Sequence, residues 1–172
     1  MWRVRFLWGL GLILVLSACG YRVRGRPPGF EPSWHTIYVE VFRNRTSETR
    51  AGAWLAQALR ERWARSGILE LASSPQEADL ILSGEILSLS IGGISYNVYT
   101  QTLERRISVR LRVRLRTRTG RLVWENRNLS RYENYPVEGT ASGVLDPGRE
   151  SALQKLSGDL AEIIYHQITS SF

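Results

Sequence analysis

A chain of 172 residues, 43% of them hydrophobic, has room for one domain with a real core, which excludes a disordered chain and a multidomain one. The single cysteine, Cys19, excludes a disulfide framework. The formal net charge is +7, and every basic residue but Lys155 is arginine, a balance that favours anionic partners.

Arg3 and Arg5 form a basic start, and Phe6 to Val15 form an apolar run of signal-peptide length, too short to span a bilayer as a helix. Leu16-Ser17-Ala18-Cys19 follows and resembles the bacterial lipobox. That resemblance implies cleavage before Cys19, a diacylglyceryl group on its thiol and a further acyl chain on its amine. Two or more chains hold a protein firmly on a membrane where one does so only marginally. The alternative is an ordinary secretory leader with a chance cysteine. Gly20, in place of aspartate, resembles lipoproteins forwarded to the outer membrane. The expected division is a signal peptide over residues 1–18, a lipidated tether over 19–34 and one domain over 35–172 on the periplasmic face of the outer membrane. Removing residues 1–18, which hold two arginines and no acid, lowers the net charge from +7 to +5. Export argues against nucleic acid as the partner. Arg26-Pro27-Pro28-Gly29 gives the tether its character, and fifteen extended residues would reach roughly 50 Å. Tyr21 and Val23 either belong to that tether or pack on the domain.

Ile37-Tyr38-Val39-Glu40-Val41-Phe42 reads as a first strand with Ile37, Val39 and Val41 on one face. Asn44-Arg45-Thr46 turns the chain, with Thr46 or Ser47 as N-cap of a helix running to Ser66 and stopped by Gly67. Its apolar stripe is Ala51, Leu55, Ala58, Leu59 and Trp63, with Trp54 at the edge. A second strand covers Asp79 to Ile91, where the apolar alternation changes parity, so a bulge is expected near Gly84. Gly92-Gly93 opens a loop carrying Tyr96 and Tyr99. A long third strand covers about Thr102 to Thr117, and Thr119-Gly120 turns it tightly into a fourth over Leu122 to Tyr132. Asp146-Pro147 starts a last helix, with a stripe of Leu153, Leu156, Leu160, Ile163 and Ile164. The order β-α-β-β-β-α predicts an α+β two-layer sandwich: a four-stranded mixed sheet with both helices packed on one face and the other face open.

The third strand is the most distinctive segment. Arg106, Arg110, Arg112, Arg114, Arg116 and Arg118 have even numbers, while Ile107, Val109, Leu111, Val113 and Leu115 are odd. Period two sends the apolar set to the helices and the arginines to the open face. Guanidinium groups two residues apart, roughly 7 Å, repel by about 0.6 kcal/mol even at water's dielectric, so an anionic counterpart is expected. A two-residue turn would set Arg114 opposite Glu125, Arg106 opposite Glu133 and Arg112 opposite Arg127. It would also send Asn126 and Asn128 toward the helices. The row reads either as an anion-binding face that grips phosphates bidentately or as a solvated sheet face.

Catalytic parts are missing. His35 and His166 are the only histidines, no metal-ligand spacing occurs, and no G-x-S-x-G, Walker or G-x-G-x-x-G pattern follows the leader. No enzyme activity, metal or cofactor is expected.

Cys19-Gly20-Tyr21-Arg22-Val23-Arg24-Gly25, Val39-Glu40-Val41-Phe42-Arg43-Asn44-Arg45-Thr46 and Ala78-Asp79-Leu80-Ile81-Leu82-Ser83-Gly84-Glu85-Ile86 are together similar to segments of the LptE family of lipopolysaccharide-assembly lipoproteins. The alanine- and leucine-spaced helix from Ala152 to Ile168 resembles that family's last helix. The resemblance implies a non-catalytic plug inside the outer-membrane β-barrel LptD, aiding its folding and the delivery of lipopolysaccharide to the surface. It also implies basic residues that contact lipopolysaccharide, carried here to Arg106, Arg110, Arg112, Arg114, Arg116 and Arg118 by strand order and character. The alternative class is a periplasmic regulator or pilot lipoprotein, such as a peptidoglycan-synthase activator or a secretin chaperone. A third possibility is an orphan lipoprotein with no partner.

Overall fold

The computed structural model describes residues 29–96, 102–137 and 147–172. Eight elements follow in order: β1 (Thr36–Val39), β2 (Arg43–Asn44), α1 (Ala51–Ser66), β3 (Glu70–Leu71), β4 (Leu80–Tyr96), β5 (Thr102–Thr117), β6 (Leu122–Pro136) and α2 (Pro147–Ser170). The expected class holds, a mixed sheet with two helices on one face. The sheet has six strands rather than four, in the order β3-β1-β4-β5-β6 with β2 also on β4. The expected first strand is broken in two. β1 pairs parallel with β4 at Leu80–Leu82, and β2 rejoins it at Glu85–Ile86. Glu40, Val41 and Phe42 lie between, and Arg60 of α1 donates from Nη2 to the Val39 carbonyl at the break, 2.7 Å away. There the alternation fails: Phe42 is buried and Val41 is 59% exposed.

Two glycines make room for Phe42. A Cβ on Gly84 would stand 2.2 Å from its Cε1, and one on Gly52 would stand 2.3 Å from its carbonyl oxygen. Gly84 is therefore a packing glycine, not the expected bulge. Gly84→Ala is expected to cost about 1–3 kcal/mol in chemical denaturation, since the ring and the Arg112 carbonyl cannot both retreat. The bulge falls at Leu87. It leaves Leu87 as the extra, exposed residue and returns Leu89 and Ile91 to the face of Leu80, Leu82 and Ile86, where they pack against the core.

The β5–β6 register shifts twice, each time by an extra residue on β6. The turn has three residues rather than two: Thr117 donates to the Arg121 carbonyl at 2.9 Å, and Gly120 takes φ 91°. A bulge at Val123 then restores the expected pairing of Arg114 with Glu125. A second one, where Arg127 and Asn128 both lie between the partners of Leu111 and Val113, pairs Arg106 with Asn134 rather than Glu133. It also separates Arg112 from Arg127. Beyond it Arg131 and Glu133 face the helices, where they meet Asp159 at 3.6 Å and Lys155 at 2.6 Å. Asn126 does face the helices and donates to Gln167 at 2.9 Å.

Helix α1 begins at Ala51, later than expected, with Arg50 as N-cap and no side-chain cap. Thr46 is engaged elsewhere: Asn44 Oδ1 accepts from its amide at 3.0 Å and its hydroxyl at 2.8 Å, while Asn44 Nδ2 donates to the Glu48 carbonyl. Gly67 ends the helix at φ 64°, as expected. The buried stripe includes Ala56 rather than Ala58, which is only partly buried like Trp54. The helices run parallel, with ion pairs Arg50–Glu150 and Arg62–Glu162 along them. Trp63 and Tyr165 meet edge to face at 4.9 Å between their ring centres. No described helix is long and apolar enough to cross a membrane.

Phe30 and Trp34 are buried against Phe172, and Gly29 donates to the Phe172 carbonyl at 3.0 Å. Packing therefore begins before residue 35. Nearby, the Asp79 carboxylate accepts from the amides of His35 (2.7 Å) and Thr36 (3.0 Å) and from the Thr36 hydroxyl, clasping β1 to β4. These bonds, led by His35, hold its carboxyl below the usual range. Asp79→Ala is expected to lower stability by about 1–2 kcal/mol at neutral pH. Because the folded pKa is the lower one, the deficit stays constant above about pH 4 and closes as pH falls further, a trend readable in thermal melts.

Candidate functional site

Strand β5 places its side chains as period two dictates. Ile107, Val109, Leu111, Val113 and Leu115 are buried beneath the helices, and the arginines lie on the face that no described element covers. The six candidates share that face but not their surroundings. Arg114 Nε meets Glu125 Oε1 at 2.8 Å, while Arg127 Nε holds the other carboxylate oxygen at 2.6 Å. Arg127 and Arg114 together hold the Glu125 carboxyl below the usual range. Arg106 donates to Asn134 at 2.8 Å and lies over the Tyr132 ring at 4.3 Å. Arg110, Arg112, Arg116 and Arg118 have no carboxylate within ion-pair distance among the described residues. The Nε of Arg112 is buried and has no hydrogen-bond partner.

Across the sheet, Arg112 is flanked by Glu85, and Glu85 by Arg43 of β2. Glu40, Arg43, Glu85, Arg112, Arg114, Arg116 and Arg118 line an open trough of about 420 Å³. Sequence reasoning missed Glu40, Arg43 and Glu85. Arg43 and Glu85 reach the trough through a parallel two-residue pairing that no local pattern announces. Toward the other end of the face, Ser88, Ser90 and Ser130 neighbour Arg110 and Ser108, a polar and uncharged floor. Among the described residues, no group of three or more His, Cys, Asp or Glu could hold a metal. Trp54 is partly buried beneath Arg50, whose guanidinium lies 4.9 Å from its ring. Tyr96 is 58% exposed, its hydroxyl 3.3 Å from the Gly93 carbonyl. Cys19 and Tyr99 lie outside the described residues.

The same architecture occurs in bacterial lipoproteins of known structure. It is shared with rare lipoprotein B from Shewanella oneidensis at 11% identity, covering 80% of this chain and 96% of that one (TM-score 0.55). A minor lipoprotein from Acinetobacter baumannii shares it at 15% identity, over 80% and 92% of the two chains (TM-score 0.52). So does lipoprotein B from Nitrosomonas europaea at 13% identity, over 88% and 91% (TM-score 0.51). No curated protein matches the sequence. The family model described as LptE, lipopolysaccharide-assembly, matches residues 34–168, and the chain belongs to that family.

Proposed function

We propose that this lipopolysaccharide-assembly protein is anchored in the outer membrane through acylated Cys19 after loss of residues 1–18, with the chain up to Gly29 as its tether. Its domain plugs the LptD barrel, helps that barrel assemble, and presents the arginine row to lipopolysaccharide on its way to the cell surface. The observation that carries the reading is the row itself. Four of its six guanidinium groups have no carboxylate within ion-pair distance among the described residues, on a face that no described element covers. Phosphates on lipid A and inner-core sugars are the anions that offset such a row with paired hydrogen bonds. The role is binding and positioning, with no bond made or broken.

The test is affinity purification of the tagged, lipidated protein from detergent-solubilised outer membranes, with mass spectrometry of what is recovered. A large β-barrel in near one-to-one ratio is the expected result. Recovery of a peptidoglycan synthase or a secretin without the barrel would overturn the plug.

A further inference from the structure

The trough at the β2 end of the arginine face is not purely cationic. Glu40 and Glu85 line it beside Arg43, Arg112, Arg116 and Arg118. Glu85 is the register neighbour of both Arg43 and Arg112, yet no ion pair joins it to either among the described residues. Cations and carboxylates thus lie side by side with no ion pair between them among the described residues, and the buried Arg112 Nε has no hydrogen-bond partner at all. A plain phosphate would satisfy the guanidinium groups but be repelled by both carboxylates. A ligand with a phosphate and a primary ammonium would satisfy both sets. In a phosphoethanolamine group two carbons separate the ammonium from the phosphate ester oxygen, and the nitrogen-to-phosphorus span is comparable to the strand spacing of about 4.8 Å.

We infer that this trough is a subsite for a phosphoethanolamine headgroup, with the phosphate on Arg112, Arg43 and Arg116 and the ammonium on Glu85 and Glu40. The inference rests on the reading of the arginine row as an anion-binding face and adds a selectivity that the row alone does not have. Phosphatidylethanolamine and phosphoethanolamine-substituted lipid A carry the same chemistry.

The experiment is calorimetric titration of the full, lipidated protein in nonionic detergent with dihexanoyl phosphatidylethanolamine, dihexanoyl phosphatidylcholine and dihexanoyl phosphatidic acid. A quaternary ammonium cannot donate hydrogen bonds to a carboxylate, so the ethanolamine lipid is expected to bind about tenfold more tightly than the choline lipid. Glu85→Gln and Glu40→Gln together should abolish that preference while leaving phosphatidic acid bound at least as tightly. Glu40→Gln alone, at an exposed position, should narrow it and keeps the test open should Glu85→Gln disturb folding. Titration of lipid A with and without the phosphoethanolamine substituent separates the two sources. A gain on substitution adds the glycolipid as ligand, and its absence beside a phospholipid preference restricts the ligand to the phospholipid. Phosphatidic acid binding with no preference between ethanolamine and choline would overturn this inference and leave the arginine face standing. Failure of every phosphate-bearing ligand, lipopolysaccharide included, would remove the face and this subsite together.

Discussion

Trp63→Ala is expected to remove about 3–5 kcal/mol of stability. Trp63 is fully buried between the helices, edge-on to Tyr165, and Tyr165 in turn lies beneath the Arg62 guanidinium at 3.5 Å. Truncation would open a cavity where the two helices meet and withdraw the support that orients the Arg62–Glu162 pair. Small domains retain only about 5–15 kcal/mol in total, so the variant should unfold at markedly lower denaturant concentration. Trp63→Phe separates volume from polarity. The indole Nε1 is buried without a hydrogen-bond partner, so losing it removes a desolvated donor rather than a bond. The phenyl variant should therefore fall short of the wild type by much less than the alanine variant. Urea unfolding followed by circular dichroism measures both.

Reversing Arg110, Arg116 and Arg118 to glutamate is expected to weaken lipopolysaccharide binding about a hundredfold, which corresponds to about 2.8 kcal/mol. All three are exposed and without a carboxylate partner among the described residues, so no described native ion pair is lost and self-repulsion along the strand is relieved. The fold should hold, with an unchanged circular-dichroism spectrum. The salt dependence of binding should weaken as charge contacts disappear. Reversal of Arg45 and Arg65, exposed arginines off the β5 row, controls for most of the change in net charge (two sites reversed against three) and should leave affinity within a few-fold. Equal losses in both variants would make the effect one of overall charge and not of the face.

The main elements were legible because their periodicities are strong. The odd apolar set of β5 needed only period two to be assigned to the core, and the stripe of α2 only the helical repeat. What local pattern could not supply was pairing. β2 and β3 are two residues each, too short for any alternation, and exist because β4 and β1 offer them an edge. The bulges at Leu87, Val123 and Arg127-Asn128 are settled by which residues the core can accept, and each one reverses the facing of everything beyond it. The parity change seen in Asp79 to Ile91 was a true signal of a bulge, but Gly84 drew the expectation to the wrong residue. Its lack of a side chain serves Phe42.

The same limit applies to the site. Arg106, Arg110, Arg112, Arg114, Arg116 and Arg118 could be placed on one face from numbering alone, and Arg114–Glu125 could be paired. The mixed character of the trough could not be read, since Glu40 and Arg43 arrive on separate segments around the strand break. The late start of α1 has a similar origin. Asn44 claims the hydroxyl of Thr46, and capping preference carries no record of that competition.

Site-specific photocrosslinking in living cells tests the central claim most directly. A crosslinking residue at Ser108 or Ser130 would stand on the open face beside Arg110, and one at Gln57 or Glu61 on the outward side of α1. The arginine-face account predicts lipopolysaccharide adducts from positions 108 and 130 and none from 57 or 61. Adducts confined to the α1 positions, or absent from the open face while the protein remains assembled, would contradict it.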